Sequence, residues 1–142
     1  MERKKFIQKS CGVCLLGMAA LLSPGLVFNS SAKNKAYKAV CNLNNEVIIP
    51  LSLFADTNLQ IVSVKGWDYD MAVHQKEDKT FAVFLLKCTH MDNAIRLSAD
   101  GFTCSMHGST YNKEGEVTKG PAEKPLEQYK ANILEENLII TP

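Results

Sequence analysis

The sequence has almost no net charge and few of the features that catalysis or nucleic-acid binding requires. Its 142 residues include 16 Lys and Arg against 15 Asp and Glu, so the formal net charge is +1 at pH 7. This balance gives no electrostatic reason to propose nucleic-acid binding. The sequence also has no nucleophile elbow, phosphate-binding loop or dinucleotide fingerprint. We therefore expect no nucleic-acid partner and no small-molecule substrate, and we identify no catalytic residue.

Cysteine is too scarce, and its number is odd, for a disulfide framework. Of the five cysteines, Cys11 and Cys14 lie in an N-terminal segment that export would remove, and Cys41, Cys88 and Cys104 remain. Three cysteines cannot all pair within one chain. We expect Cys41 to be a half-buried residue of a first strand, which leaves Cys88 and Cys104 for other chemistry.

Residues 1–32 have the pattern of an export signal. Basic residues from Arg3 to Lys9 precede an apolar run from Cys11 to Leu22, which Ser23-Pro24-Gly25 ends. Small residues at Ser30-Ser31-Ala32 then match what a signal peptidase reads. The pattern predicts a cleaved signal at 1–32 followed by one domain at 33–142.

The start of this segment, Arg3-Lys4-Lys5-Phe6-Ile7, resembles a twin-arginine signal with Lys4 in place of the second arginine. An uncleaved membrane anchor is the alternative, although the stretch from Cys11 to Phe28 reaches spanning length only if its polar break is counted. Both interpretations predict an exported protein, in the periplasm or on the periplasmic face of the inner membrane.

The pattern of residues 33–142 predicts an all-β fold. Alternating or continuous apolar runs bounded by turn residues predict six strands: Glu46–Phe54 (interrupted by Pro50), Leu59–Val64, Asp70–His74, Thr80–Leu86, Leu126–Ile133 and Asn137–Thr141. The last two form a hairpin through Glu135-Glu136. Residues 88–125 have no convincing period, and so long a segment without its own core needs something to hold it together.

Two short motifs in that segment combine thiols with imidazoles. Cys88-Thr89-His90 follows the strongest strand, and Cys104-Ser105-Met106-His107 comes after 13 intervening residues, with Gly101 and Gly108 beside it. Zinc accepts two cysteines and two histidines, but structural zinc sites usually space their cysteines by two to four residues. The C-x-H and C-x-x-H pattern is instead that of a Rieske centre, in which two histidines replace two cysteines on one iron of a [2Fe–2S] cluster.

The resemblance to the Rieske family extends beyond these ligands. Ile49-Pro50-Leu51-Ser52 and Lys87–His90 match it, Gly108-Ser109-Thr110-Tyr111 is similar to the H-G-S-x-Y motif of bc-type subunits, and Gly120-Pro121-Ala122 with Pro125-Leu126 resembles their proline loop. The resemblance implies a Rieske fold, with an antiparallel β-sandwich-like base and an inserted cluster-binding subdomain at 88–125, and one [2Fe–2S] cluster per chain.

The resemblance also implies roles for individual residues. Cys88 and Cys104 would bind the buried iron, and His90 and His107 the outer iron that changes valence. Ser109 and Tyr111 match the positions whose hydroxyls donate to the cluster and to a ligand thiolate, and Gly108 and Pro121 belong to the same cofactor-binding surroundings. His74, the third histidine, is expected to be a surface residue.

One departure from the family bears on function. Bc-type subunits carry an extra cysteine in each ligand loop, and the two form a disulfide. The matching positions here hold Asn93 and Met106, which predicts no disulfide, a more mobile cluster loop and a reduction potential below that of the bc-type proteins.

The resemblance implies one-electron transfer, with a redox protein as donor and another as acceptor. A membrane cytochrome or quinol-linked complex is one such partner. A small electron-transfer subunit of a larger oxidoreductase, such as a molybdenum-type oxidase, is the alternative, and a structural zinc module is the third hypothesis.

Overall fold

The strands of this protein form two sheets, and one apolar core lies between them. A computed structural model describes residues 35–142, and the export-signal prediction for residues 1–32, with Cys11 and Cys14, lies outside that range. The strands are β1 (Tyr37–Ala39), β2 (Val47–Pro50), β3 (Leu59–Val64), β4 (Met71–Gln75), β5 (Phe81–Leu85), β6 (Arg96–Ser98), β7 (Gly101–Thr103), β8 (Thr110–Asn112), β9 (Val117–Lys119), β10 (Gln128–Leu134) and β11 (Asn137–Thr141). No α-helix occurs between residues 35 and 142.

The larger sheet is the base of the domain and has the strand order β1-β3-β4-β5-β10-β11-β2. Its pairs are antiparallel except β1–β3, which is parallel. A single antiparallel bridge between Cys41, just after β1, and Val47 of β2 joins the two edge strands. The sheet therefore closes on itself at this one point.

Strand β5 explains how the two parts of the fold are held together. Val83 and Leu85 point into the core of the base sheet, whereas Ala82 and Phe84 belong to a second core beneath the smaller sheet. Because successive side chains of a strand face opposite ways, a strand buried on both faces is apolar throughout. This is the physical reason for the uninterrupted Phe81–Leu85 run.

The smaller sheet has the order β6-β7-β8-β9, and all its pairs are antiparallel. Phe102 of β7 and Tyr111 of β8 lie opposite each other in the register and are both 2% exposed. Phe102 also meets Phe84 of the base sheet edge to face, at 6.1 Å between ring centroids. The sheet that carries the second Cys/His motif is thus packed directly on β5, from which the first motif emerges.

The structure confirms the all-β fold class and the predicted strands at 59–64, 71–74, 81–85, 128–133 and 137–141. The prediction of a strand over Glu46–Phe54 is wrong after Pro50, because Leu51–Phe54 form a 3-10 turn. That turn starts where the Leu51 N–H donates to the Glu136 carbonyl of the β10–β11 turn. The four strands of the smaller sheet were not predicted, since three residues are too few to show a period.

Among residues 35–142, no helix is long and apolar enough to cross a membrane.

Candidate metal centre

Residues Cys88 to Asn93 form a tight loop at the end of β5. The Cys88 N–H donates to the Asn93 carbonyl at 2.7 Å, and the Asp92 N–H donates back to the Cys88 carbonyl at 2.9 Å. A bridge between Lys87 and Ala94 closes the loop at its base. The reversal places Asp92 at φ +49°, a left-handed conformation that aspartate adopts more readily than most residues.

Residues Cys104 to Ser109 form a second loop, between β7 and β8, with the same hydrogen-bond pattern. The Cys104 N–H donates to the Ser109 carbonyl at 2.8 Å, and the Gly108 N–H donates to the Cys104 carbonyl at 3.0 Å. Gly108 takes the left-handed position, at φ +76°, that Asp92 takes in the first loop. Each cysteine therefore opens a six-residue loop of one geometry, with its histidine near the tip.

The two loops bring the four predicted ligands to one end of the domain, with the thiols inside and the imidazoles outside. Cys88 and Cys104 are each 1% exposed, whereas His90 and His107 are both exposed. The two imidazole rings lie edge to face with centroids 5.1 Å apart. The four residues thus separate into a buried sulfur pair and an exposed nitrogen pair.

The Tyr111 hydroxyl connects the first loop to the smaller sheet. It lies 3.5 Å from the Cys88 sulfur and accepts a hydrogen bond from the Thr89 N–H at 3.2 Å. Thr89 Oγ1 is 3.1 Å from the same hydroxyl and donates its own proton to the Lys124 carbonyl at 2.7 Å. Because Thr89 has committed its proton, the Tyr111 proton can be given only to Thr89 Oγ1 or to the Cys88 sulfur.

These contacts shift the ionisation of both groups. Burial is the largest effect on the Cys88 thiol and raises its pKa, but hydrogen bonds from Tyr111, the His90 N–H, Cys104 and the Met91 N–H together bring the pKa below its usual value. The pKa of Tyr111 is raised by burial and by its hydrogen bond to Cys88. The surroundings therefore make the Cys88 thiol easier to ionise and the Tyr111 hydroxyl harder to ionise, which is the direction that suits a metal ligand and a donor beside it.

Ser109 joins the second loop to the proline loop. Its side chain is fully buried, and Oγ accepts a hydrogen bond from the Ala122 N–H at 3.0 Å. Among residues 35–142, the Ser109 hydroxyl makes no other hydrogen bond, so its own proton stays uncommitted. Pro121, next to Ala122, is exposed and lines a surface groove with Thr89 and His90.

Cys41, Cys88 and Cys104 are free thiols in the structure, and the two positions at which bc-type subunits form their disulfide are Asn93 and Met106. Met106 is 59% exposed. Asn93, however, is half-buried, and its Nδ2 donates to the Cys104 sulfur at 3.7 Å. The two loops are therefore connected by a hydrogen bond.

Two contacts that the sequence did not reveal stabilise the first loop from its solvent-exposed side. The Tyr69 hydroxyl donates to the Asp92 carbonyl, and Lys87 forms an ion pair with the Asp92 carboxylate at 3.2 Å. Lys87 Nζ also lies 5.8 Å from the centroid of the Tyr69 ring. No sequence signal marks Tyr69 or Thr89, because both act through groups far from them along the chain.

Gly101, beside the second ligand pair, has a steric role. It sits at φ +150°, and a Cβ there would lie 2.1 Å from the Tyr111 carbonyl oxygen. His74 is partly exposed in β4, as expected for a surface histidine, and Cys41 is half-buried in its bridge to Val47. Neither His74 nor Cys41 belongs to the loops.

The donor set fits a binuclear cluster. Two buried thiols on one side and two imidazoles on the other match the ligands of a [2Fe–2S] centre that has histidines on one iron. The uncommitted Ser109 proton and the Tyr111 hydroxyl add donors of the kind that such a cluster accepts.

Comparisons with known proteins identify the family that the chain resembles. The family model described as Rieske [2Fe-2S] domain matches residues 51–130. The chain is 34% identical over 85 residues to the cytochrome b6-f complex iron-sulfur subunit of Gloeobacter violaceus, covering 57% of this chain and 45% of that protein. It is 36% identical over 69 residues to the subunit of the same name from Microcystis aeruginosa, covering 46% and 38%. The chain spans less than half the length of these curated relatives.

A solved structure shares the fold. The cyanobacterial plasma membrane Rieske protein of Synechocystis PCC 6803 superposes with a TM-score of 0.51 at 19% identity, over 60% of this chain and 87% of that one. At this identity the likeness concerns the fold alone.

Proposed function

Because the chain belongs to the Rieske [2Fe-2S] domain family, we propose that it is an electron-transfer protein whose cluster is held by Cys88, His90, Cys104 and His107. Family membership implies a Rieske-type [2Fe–2S] cluster. When bound, such a cluster takes up and releases one electron at a time.

One observation carries the ligand assignment: the two loops share a hydrogen-bond pattern and present buried thiols beneath exposed imidazoles. The buried Cys88 and Cys104 would hold the inner iron where water cannot compete for it. His90 and His107 would hold the outer iron at the surface. A partner that contacts the imidazole edges could then exchange an electron with the cluster without any conformational change of this protein.

Two hydroxyls would set how readily the electron is accepted. The Tyr111 hydroxyl lies 3.5 Å from Cys88 Sγ and would donate to it once that sulfur is a thiolate, and Ser109 has an uncommitted proton at the second loop. Donors to sulfur stabilise the more negative, reduced state and so raise the reduction potential. Both side chains are almost fully buried, which strengthens these hydrogen bonds relative to water.

The partner would be a redox protein that docks on the face around the two histidines. Met91 and Met106 flank His90 and His107 there and are 64% and 59% exposed, and flexible methionines suit a transient contact. The relatives named as cytochrome b6-f subunits make a membrane cytochrome or quinol-linked complex our first candidate. Cross-linking followed by mass spectrometry would identify it, and cross-links confined to the base sheet would count against this docking face.

The lack of the bc-type disulfide positions favours a second candidate function. Since Asn93 and Met106 replace the disulfide of bc-type subunits, the chain would also suit the role of a small redox subunit in a larger oxidoreductase such as a molybdenum-type oxidase. Co-purification of a large subunit under native conditions would support this role, and recovery of a lone chain would support the carrier.

Export is part of the proposal. The twin-arginine-like segment in residues 1–32 suits a protein that receives its cluster in the cytoplasm and crosses the membrane folded. N-terminal sequencing of the protein from a periplasmic fraction tests it. A terminus at residue 33 supports a cleaved signal, an intact terminus in the membrane fraction supports an anchor, and a wholly cytoplasmic protein overturns export.

Metal analysis with absorption spectroscopy tests the proposed function. The purified full chain should contain two irons and two acid-labile sulfides, and its visible absorption should bleach on addition of dithionite. A colourless protein with stoichiometric zinc would overturn the electron-transfer role and leave the four residues as a structural clamp.

A further inference from the structure

We propose that the Asn93 carboxamide is a hydrogen-bond donor to the Cys104 thiolate, and that this bond both links the two cluster loops and raises the reduction potential. The inference rests on the proposed function, because it requires Cys104 to be a cluster ligand. It assigns Asn93 a positioning and tuning role at a place where bc-type relatives carry a covalent link.

The geometry places Asn93 in contact with both cysteines. Its backbone carbonyl accepts the Cys88 N–H at 2.7 Å, and its side-chain Nδ2 lies 3.7 Å from the Cys104 sulfur, within the range of an N–H···S hydrogen bond. The backbone bond fixes the end of the first loop, so the carboxamide is presented from a constrained position. A competing contact of Nδ2 with the Ala94 carbonyl, at 3.3 Å, is local and leaves the second N–H free.

The chemistry of the acceptor gives this contact its effect. Cys104 is 1% exposed, so water does not solvate its sulfur. Among residues 35–142, Asn93 is the polar side chain that donates to it. A hydrogen bond to a charged acceptor is stronger than one to a neutral acceptor. Added electron density on the sulfur in the reduced state therefore strengthens the Asn93 bond and favours that state.

The arrangement also assigns one side-chain donor to each thiol. Tyr111 lies beside Cys88, on the side of the smaller sheet, and Asn93 lies beside Cys104, on the side of the first loop. Met106, the other position of the missing disulfide, points outward and is 59% exposed. Among residues 35–142, the Asn93 carboxamide thus joins the two loops at the positions where bc-type subunits carry the disulfide.

Voltammetry of two variants tests the inference. Asn93→Leu keeps the branched shape and the number of side-chain heavy atoms but removes both N–H groups, and we expect about a fivefold loss of preference for the reduced state. At 59 mV per tenfold for one electron, this is a fall of about 40 mV in midpoint potential. Asn93→Asp removes the donors and adds a negative charge, so its potential should fall further. Asn132→Asp, on exposed β10, adds the same charge away from the loops and should leave the potential almost unchanged.

The outcomes separate this inference from the proposed function. If wild-type protein gives no reducible iron–sulfur spectrum, the proposed function fails. If wild type is normal and Asn93→Leu keeps the wild-type potential, only the role of Asn93 fails. If the variants do not retain iron, pulsed EPR on reduced wild-type protein with ¹⁵N-labelled asparagine decides. A coupled asparagine nitrogen supports the hydrogen bond, and its absence overturns it.

Discussion

The hydroxyl of Tyr111 and the sulfur of Cys88 lie 3.5 Å apart, although the two residues are 23 positions apart in the chain. The contact exists because β5 and the smaller sheet pack on a shared core that includes Phe84 and Phe102. The proposed ligand Cys88, just beyond β5 of the base sheet, thereby lies beside a hydroxyl from the other sheet. If Cys88 holds the cluster, packing between the sheets also sets the distance from that hydroxyl to the cluster.

Removal of the Tyr111 hydroxyl should lower the reduction potential without removing the cluster. A differential hydrogen bond of about 1 kcal/mol corresponds to about 40 mV for one electron, so Tyr111→Phe should shift the potential down by about that amount. Voltammetry measures the shift. Tyr129→Phe, half-buried in β10, removes a hydroxyl far from the loops and is the control; equal shifts in both variants would contradict the assignment.

Ser109→Ala should lower both the potential and the stability. The substitution removes the donor at the second loop and leaves the Ala122 N–H without its acceptor, a buried loss of about 1–3 kcal/mol. Thermal unfolding with and without the cluster measures the stability, and voltammetry measures the potential. Ser105→Ala, exposed in the same loop, should change neither; a stable Ser109→Ala protein with wild-type potential would count against this role.

Gly101→Ala should destabilise the protein more than a glycine substitution that costs only backbone strain. A Cβ would lie 2.1 Å from the Tyr111 carbonyl oxygen, so β7 and β8 could not keep their register. Gly66→Ala is the matched control, because Gly66 has φ +88° with open space around it and should lose only about 1–2 kcal/mol. Denaturant unfolding compares the two, and similar losses would show that the close approach is unimportant.

Truncation of the base core should lower the stability of the domain without changing the reduction potential. Ile140 is fully buried, and Ile140→Ala should cost about 2–5 kcal/mol of the free energy of unfolding. Ile133→Ala, 54% exposed in the same hairpin, should cost much less. We expect the folded fraction of Ile140→Ala to keep the wild-type reduction potential, because the base core contains no residue of the two loops. A changed potential would contradict this prediction.

Much of this account could be predicted from the sequence because the signals are local. The alternation of apolar and polar residues predicts β3, and the Glu135-Glu136 turn predicts the last hairpin. The spacing of the two Cys/His motifs indicates the type of site. The 3-10 turn after Pro50 was missed because the contact that selects it comes from Glu136. The four strands of the smaller sheet were missed because a strand of three residues is too short to show a period. The donor role of Asn93 depends on how two loops meet, which no single stretch of sequence encodes.

Pulsed EPR of the reduced full chain tests the central claim, mixed thiolate and imidazole ligation, most directly. Protein grown with ¹⁵N-labelled histidine is compared with unlabelled protein. The account predicts a rhombic iron–sulfur signal that appears only on reduction, with two histidine nitrogens strongly coupled to it. A reduced cluster without histidine coupling, or a colourless protein that holds zinc, would contradict it.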